Sequence, residues 1–245
     1  MFENERSDGD TEPEPDTEPE RTGPRRKTGA KAERTRALIR DTALASFRER
    51  GYDDTTLRLI AQEAGVSLGN AYYYFPTKNH LVQELYAEVQ REHRAAASEL
   101  LAGSDDLVDR LGIVYRTGLA TLEPFHAFAP GFLTAAISPR SPLNPLAEDS
   151  AEARELAVGL FRDAVAGARH SLPDDLARSL PEVFWLAYLL LALFWAYDRS
   201  PGRERTLRLL DGGLRLLGLA LPLARLPMLR RPLRELVELV AAVRA

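Results

Sequence analysis

The sequence predicts an all-α protein. Three observations carry that expectation: nearly every segment after residue 33 places apolar residues at helical spacing, no stretch alternates as a half-buried strand would, and no short internal repeat is present. At 245 residues the chain has room for two domains, each able to bury its own core.

The first 33 residues are set apart by charge. Residues 1–20 hold nine acidic groups and one arginine, whereas residues 21–50 hold ten basic and three acidic groups. A Pro/Glu-rich tail has too little apolar surface to offset its ordering entropy, so residues 1–33 are expected to form a disordered tail, first acidic and then basic.

The first helix is expected over residues 34–50, where Ile39, Ala43 and Phe47 recur at i, i+4, i+8 and Gly51 supplies a left-handed stop. The second begins at Thr55 or Thr56, either of which can cap it, and carries Leu57, Ile60, Ala61 and Ala64 on one face before Gly65 ends it. The third is short, residues 67–75, with Ser67 as its cap. Pro76 and Thr77 interrupt the chain, and a long fourth helix follows from Lys78 towards Leu101. Three helices joined by tight, glycine-containing turns match a homeodomain-like helix-turn-helix, placed at residues 34–80, with the remaining 81–245 as a second helical domain.

Further helices are expected near 105–122, 125–137, 150–169, 175–198, 203–221 and 228–243. The prolines of ISPRSPLNPLAED after Ala136 preclude a continuous helix there. The longest apolar run, Val183 to Tyr197, is 15 residues, short of the roughly 20 a bilayer span requires, and reads as a buried helix. Cysteine is absent, which excludes disulfides, thiolate zinc sites and cysteine nucleophiles and fits a cytoplasmic protein. No secretory signal pattern opens the chain, so neither export nor a membrane is expected.

The informative stretch is TTLRLIAQEAGVSLGNAYYYFPTKNHLVQELY, residues 55–86. A short helix with small residues at its start and polar or aromatic residues along one side fits the major groove, about 12 Å wide. Ser67, Gly69 and Asn70 permit close approach of its N-terminus. Asn70 can pair bidentately with an adenine edge, and Tyr73 can reach a base edge or a thymine methyl. Tyr72 and Tyr74 suit phosphates, since a phenol donates well to oxygen but discriminates little among bases. Lys78, at the start of the fourth helix, also suits a phosphate, as do Thr56 and Arg58 on the second. Phe75 belongs to the core with Ala71 and Leu81, whereas three successive tyrosines on so short a helix cannot all face inward. The basic residues Arg25, Arg26, Lys27 and Lys31 then become an arm for phosphates or a minor groove.

Thr55-Thr56, Ile60-Ala61, Gly65-Val66-Ser67, Gly69, Tyr72, Phe75, Lys78 and Leu81, at their spacing, resemble the DNA-binding domain of the tetracycline-repressor (TetR) family across residues 34–90. The resemblance implies a TetR-like fold, a sequence-specific DNA-binding transcriptional regulator, and a base contact by Arg58. It departs from the family pattern at Tyr74, where histidine is common, and at Leu68, where a polar residue is frequent, which bears on the operator sequence and not on DNA binding.

One such domain makes too few contacts for tight recognition, so a homodimer is expected, with half-sites about 34 to 36 Å apart. The pairing helices are those near 175–198 and 203–221, with stripes Trp185, Leu189, Ala192, Ala196 and Leu210, Leu214, Leu217, Leu221. Two from each subunit make a four-helix bundle, which is also how TetR-like proteins pair. Tyr115, Phe125, Phe128, Phe132, Phe161, Trp185 and Tyr188 supply aromatic surface for an apolar pocket and a small apolar or aromatic inducer. His126 and His170 are each read as structural or exposed rather than ligand-binding.

An enzyme is not expected. The four histidines lack metal-ligand spacing, no cofactor motif is present, and GVSLG, residues 65–69, matches a nucleophile elbow in letters only, since a helix and not a strand precedes it. The reading is therefore a cytoplasmic, nucleoid-associated, ligand-released repressor; a transcriptional activator and a ligand-independent DNA-binding protein are the alternatives.

Overall fold

The structure, a computed structural model, describes residues 25–138, 141, 143–169, 174–222 and 235. Nine α-helices lie within them: α1 (Arg25–Arg50), α2 (Leu57–Glu63), α3 (Leu68–Tyr74), α4 (Lys78–Leu101), α5 (Leu107–Leu122), α6 (Ala129–Ile137), α7 (Ala151–Ala166), α8 (Asp174–Tyr197) and α9 (Glu204–Ala220). No strand occurs among the described residues. The helix expected near 228–243, the tail before Arg25 and His170 lie outside them.

Two expectations are corrected. The first helix begins earlier than expected: α1 starts at Arg25, nine residues before the expected position, so Arg25, Arg26, Lys27 and Lys31 lie in the first turns of a 26-residue helix. The helix expected over 125–137 is broken, with a 3-10 turn at Glu123–Phe125 and α6 restarting at Ala129, because Pro124 and Pro130 each favour a first turn and cannot continue a preceding one.

The helix-turn-helix is set by local chemistry. Gly51 (φ 86°) ends α1 and Gly65 (φ 66°) ends α2, both in the left-handed region that a side chain disfavours. At Gly65 the chain forms a Schellman turn, in which Val66 N–H donates to Ala61 O (3.0 Å) and Gly65 N–H to Gln62 O (3.2 Å). Thr56, Ser67 and Thr77 cap α2, α3 and α4, each hydroxyl accepting from the backbone N–H three residues on.

Two cores result. Ile39, Phe47, Ile60, Ala71, Phe75 and Leu81 fill the N-terminal one, which also takes Ala136 of α6 and Leu143 from the following loop. α6 therefore packs on the helix-turn-helix although it lies about 50 residues downstream. Phe132 of α6 meets Tyr52 and Tyr86 edge-on, at centroid distances of 6.0 and 5.4 Å. The larger core is built from α4, α5, α7, α8 and α9, around Leu111, Val114, Leu160, Phe161 and Trp185. Ion pairs Arg36–Glu84, Arg40–Glu88 and Arg91–Glu152 add links from α1 to α4 and from α4 to α7.

Leu176–Tyr197 of α8 is long and apolar enough to cross a membrane by length and composition alone, at a mean hydropathy of 1.6. Its inner face is nonetheless committed to the protein core through Phe184, Trp185, Tyr188 and Trp195.

Candidate nucleic-acid interface and ligand cavity

α3 is held by its inward positions and offers the others. Ala71 and Phe75 are fully buried, while Tyr72 and Tyr73 are 50% and 79% exposed. Tyr74 is half-buried and braces Tyr73 edge-on at 5.1 Å. Ser67 and Gly69 are exposed and Asn70 half-buried at the N-terminal end, and the Ser67 hydroxyl accepts from Asn70 N–H at 3.1 Å. Thr56 and Arg58 are exposed on α2, with Thr56 committed as a cap.

Lys78, expected to meet a phosphate, is engaged within the protein. Its ammonium donates to Tyr52 O (2.6 Å) and Thr55 O (3.0 Å) and lies 3.8 Å from the Tyr52 ring centroid. Burial lowers its pKa, opposed by the nearby carboxylates of Asp53 and Asp54. Lys78 thus ties the start of α4 to the α1–α2 loop. Sequence spacing showed where the lysine sits, and only the fold brought the two carbonyls to it.

Between the two cores lies a cavity of about 200 Å³. Phe125, Phe128, Phe132, Trp185 and Tyr188 line it as expected from the aromatic content, but Tyr115 and Phe161 do not. Those two fill the larger core: their rings pack 5.3 Å apart, and the Tyr115 hydroxyl donates to Phe184 O at 2.9 Å. His126 is structural, its Nε2 bonded to Trp195 O at 3.0 Å. Sequence reasoning missed the opposite wall, where Leu44 and Phe47 of α1 face Val82, Leu85, Tyr86, Val89 and Gln90 of α4. The α4 residues recur at i, i+3, i+4, i+7, i+8, a legible signal of a buried stripe.

Most polar groups around this cavity are already bonded within the protein. Tyr86 donates to Leu143 O, Trp195 Nε1 to Glu123, and Arg154 Nη1 to Pro145 O and Ala147 O. Gln90 and Tyr188 differ, since neither makes a side-chain hydrogen bond among the described residues, and Gln90 Oε1 is buried without a partner.

The stripes named on the two helices expected to pair subunits face the interior. Trp185, Leu189 and Ala192 line the cavity, and Leu210 and Leu214 are buried against the larger core. The outward faces of the same two helices are apolar instead: Leu190 (69% exposed), Phe194 and Tyr197 on α8, and Leu209, Leu216 (68%) and Leu219 on α9. A helix with apolar residues on both faces shows two stripes in sequence, and nothing local says which is internal.

The profile described as "Bacterial regulatory proteins, tetR family" matches residues 39–85, and "Tetracyclin repressor-like, C-terminal domain" matches residues 110–242. The regulator TtgR of Pseudomonas putida is 43% identical over 89 residues, 36% of this chain and 40% of TtgR. AcrR of Shigella flexneri is 41% identical over 61 residues, 25% of this chain and 28% of AcrR, so these matches span well under half of either relative. In fold, the chain is similar to the TetR transcriptional regulator from Nitrosomonas europaea (TM-score 0.58, 18% identity, covering 75% of this chain and 97% of that one). It is likewise similar to the Bacillus subtilis regulator FadR in complex with stearoyl-CoA (TM-score 0.56, 16% identity, 71% and 95%). With the second profile alone spanning more than half of its residues, the chain belongs to the TetR family of bacterial regulatory proteins.

Proposed function

We propose that this protein is a sequence-specific DNA-binding transcriptional regulator, a homodimeric repressor that a small apolar or aromatic inducer releases from its operator in the cytoplasm. The observation that carries this reading is α3, whose Tyr72 and Tyr73 stand in solvent while Ala71 and Phe75 anchor it from behind. Tyr73 and Asn70 read base edges. Tyr72, Tyr74, Thr56 and Arg58 set the register on the phosphates, with Arg58 also within reach of a base, and Ser67 and Gly69 let the backbone approach. The outward stripes of α8 and α9 pair two copies, placing two recognition helices on one duplex.

Release follows from where the cavity lies. Its wall includes Leu44 and Phe47 of α1, so an occupant touches the helix-turn-helix itself and biases its position. Only differential affinity for the two positions shifts the equilibrium, and a coupling of about 1 to 3 kcal/mol weakens operator affinity roughly 5- to 150-fold.

Binding titrations against an operator and mismatched duplexes test the reading. Asn70→Ala and Tyr73→Ala are expected to lower specific affinity by about 1 to 3 kcal/mol each and to narrow the gap between correct and mismatched sites. Uniform weakening on every duplex would contradict base readout. Lys78→Met gives a different signature, because its ammonium is bound to carbonyls: stability falls by about 1 to 3 kcal/mol, while the salt dependence of DNA binding keeps its slope. A slope reduced by about 0.9 would instead mark Lys78 as a phosphate contact.

A further inference from the structure

The cavity between the cores is chemically selective in a way its aromatic lining does not reveal. Two acceptors near it are buried without a donor, Gln90 Oε1 and His93 Nδ1. His93 lies one turn beyond Gln90 on α4. It is fully buried and its Nε2 is bonded to Val114 O at 2.8 Å, so Nε2 carries the proton and Nδ1 presents a lone pair. Burial lowers its pKa, against the pull of that carbonyl, which keeps the ring neutral. Tyr188 packs against it from α8, ring centroids 5.8 Å apart, and its hydroxyl forms no hydrogen bond among the described residues. Gly118 leaves room for the pair: a Cβ there would sit 2.8 Å from both His93 Cε1 and the Tyr188 hydroxyl.

Buried acceptors without donors are uncommon in folded proteins, and each costs about 1 to 3 kcal/mol that a donor recovers. Gln90 and His93 share a face of α4, Tyr188 packs on that face, and Gln90 and Tyr188 line the cavity. The rest of the lining is apolar or already bonded within the protein. Arg154 is the one cation there among the described residues, and its Nη1 serves two backbone carbonyls. An anion entering this chamber would lose its water for little return, whereas a neutral hydroxyl would gain two partners.

We propose that the cavity binds an uncharged aromatic molecule carrying one hydroxyl, which donates to the Gln90 side-chain carbonyl and accepts from the Tyr188 hydroxyl. The proposal names the ligand chemistry of the inducer site and rests on that reading. It assigns Gln90 as the residue that determines specificity.

Three naphthalene probes test it: 2-naphthol, naphthalene and 2-naphthoate, titrated into the full chain at pH 7 without DNA. Both tryptophans, Trp185 and Trp195, line the cavity, so occupancy is read from their quenching and checked by calorimetry. Hydrophobicity alone favours naphthalene, so the diagnostic result is 2-naphthol binding about fivefold tighter than naphthalene, with 2-naphthoate weakest. Gln90→Leu should bring 2-naphthol down to the affinity of naphthalene and raise the melting temperature of the unliganded protein, since an unpaired acceptor is removed. Ala192→Trp, which fills the chamber, should abolish binding of all three. Equal affinities, a preference for 2-naphthoate, an unchanged preference in Gln90→Leu, binding that survives Ala192→Trp, or no binding at all would each overturn the proposal. Duplex binding is measured separately, so a protein that ignores DNA yet selects 2-naphthol would refute the regulatory reading and leave this one standing.

Discussion

Replacing Arg110 by methionine should destabilise the protein by about 4 kcal/mol. The guanidinium is buried, and its donors reach four backbone carbonyls: Nε to Ala164 O (2.7 Å), Nη1 to Leu101 O and Ser104 O (2.6 Å each), and Nη2 to Asp163 O (2.9 Å). Leu101 ends α4, and Asp163 and Ala164 lie in the last turn of α7, so one cation meets the terminal carbonyls and dipole ends of two helices at once. Methionine matches the stem but leaves Ala164 O and Ser104 O with no other donor among the described residues, and takes from Leu101 O and Asp163 O the second donor beside Ser104 N–H and Gly167 N–H; an acceptor left unpaired costs about 1 to 3 kcal/mol. The fold makes room for this group at Gly167, where a Cβ would lie 2.2 Å from Arg110 Nη2. For a chain of this size the loss corresponds to a melting temperature lower by roughly 8 to 16 °C, measurable by calorimetry. A shift under about 2 °C would show the clasp to be incidental.

The second large effect is on assembly. Leu216→Glu places a carboxylate in the middle of the outward stripe of α9, and Phe194→Glu does the same on α8. Both positions are exposed in the single chain, so neither charge strains the fold and circular dichroism should be unchanged. Pairing through these faces would bury the carboxylate against apolar surface without a partner, which a dimer cannot tolerate. Sedimentation should then find a monomer at micromolar concentration, with operator affinity lower by about a hundredfold or more because each half-site is held alone. A variant that remains dimeric would place the interface elsewhere.

The helix-turn-helix was legible because its information is local. Gly51 and Gly65 need no distant partner to stop a helix, and Thr56, Ser67 and Thr77 cap with their own hydroxyls. Counting faces on a short helix was enough to send Phe75 inward and Tyr73 outward. The cavity was half legible: Phe125, Phe128 and Phe132 cluster in sequence, yet α1 reaches the same wall from about 80 residues away, and no local pattern announces that meeting.

What the sequence determined by itself is the order of the early helices, their ends apart from the start of α1, and their core-facing residues, since caps, stops and the 3.6-residue period act within a few neighbours. What only the tertiary structure decided is which of two apolar faces on α8 and α9 turns inward, that Tyr115 and Phe161 fill the core while Tyr188 borders a void, and that Lys78 meets carbonyls. Burial is a property of pairs of elements. A leucine stripe carries the same free energy of transfer whichever neighbour covers it, so the choice is made only when α5 and α7 take up one side.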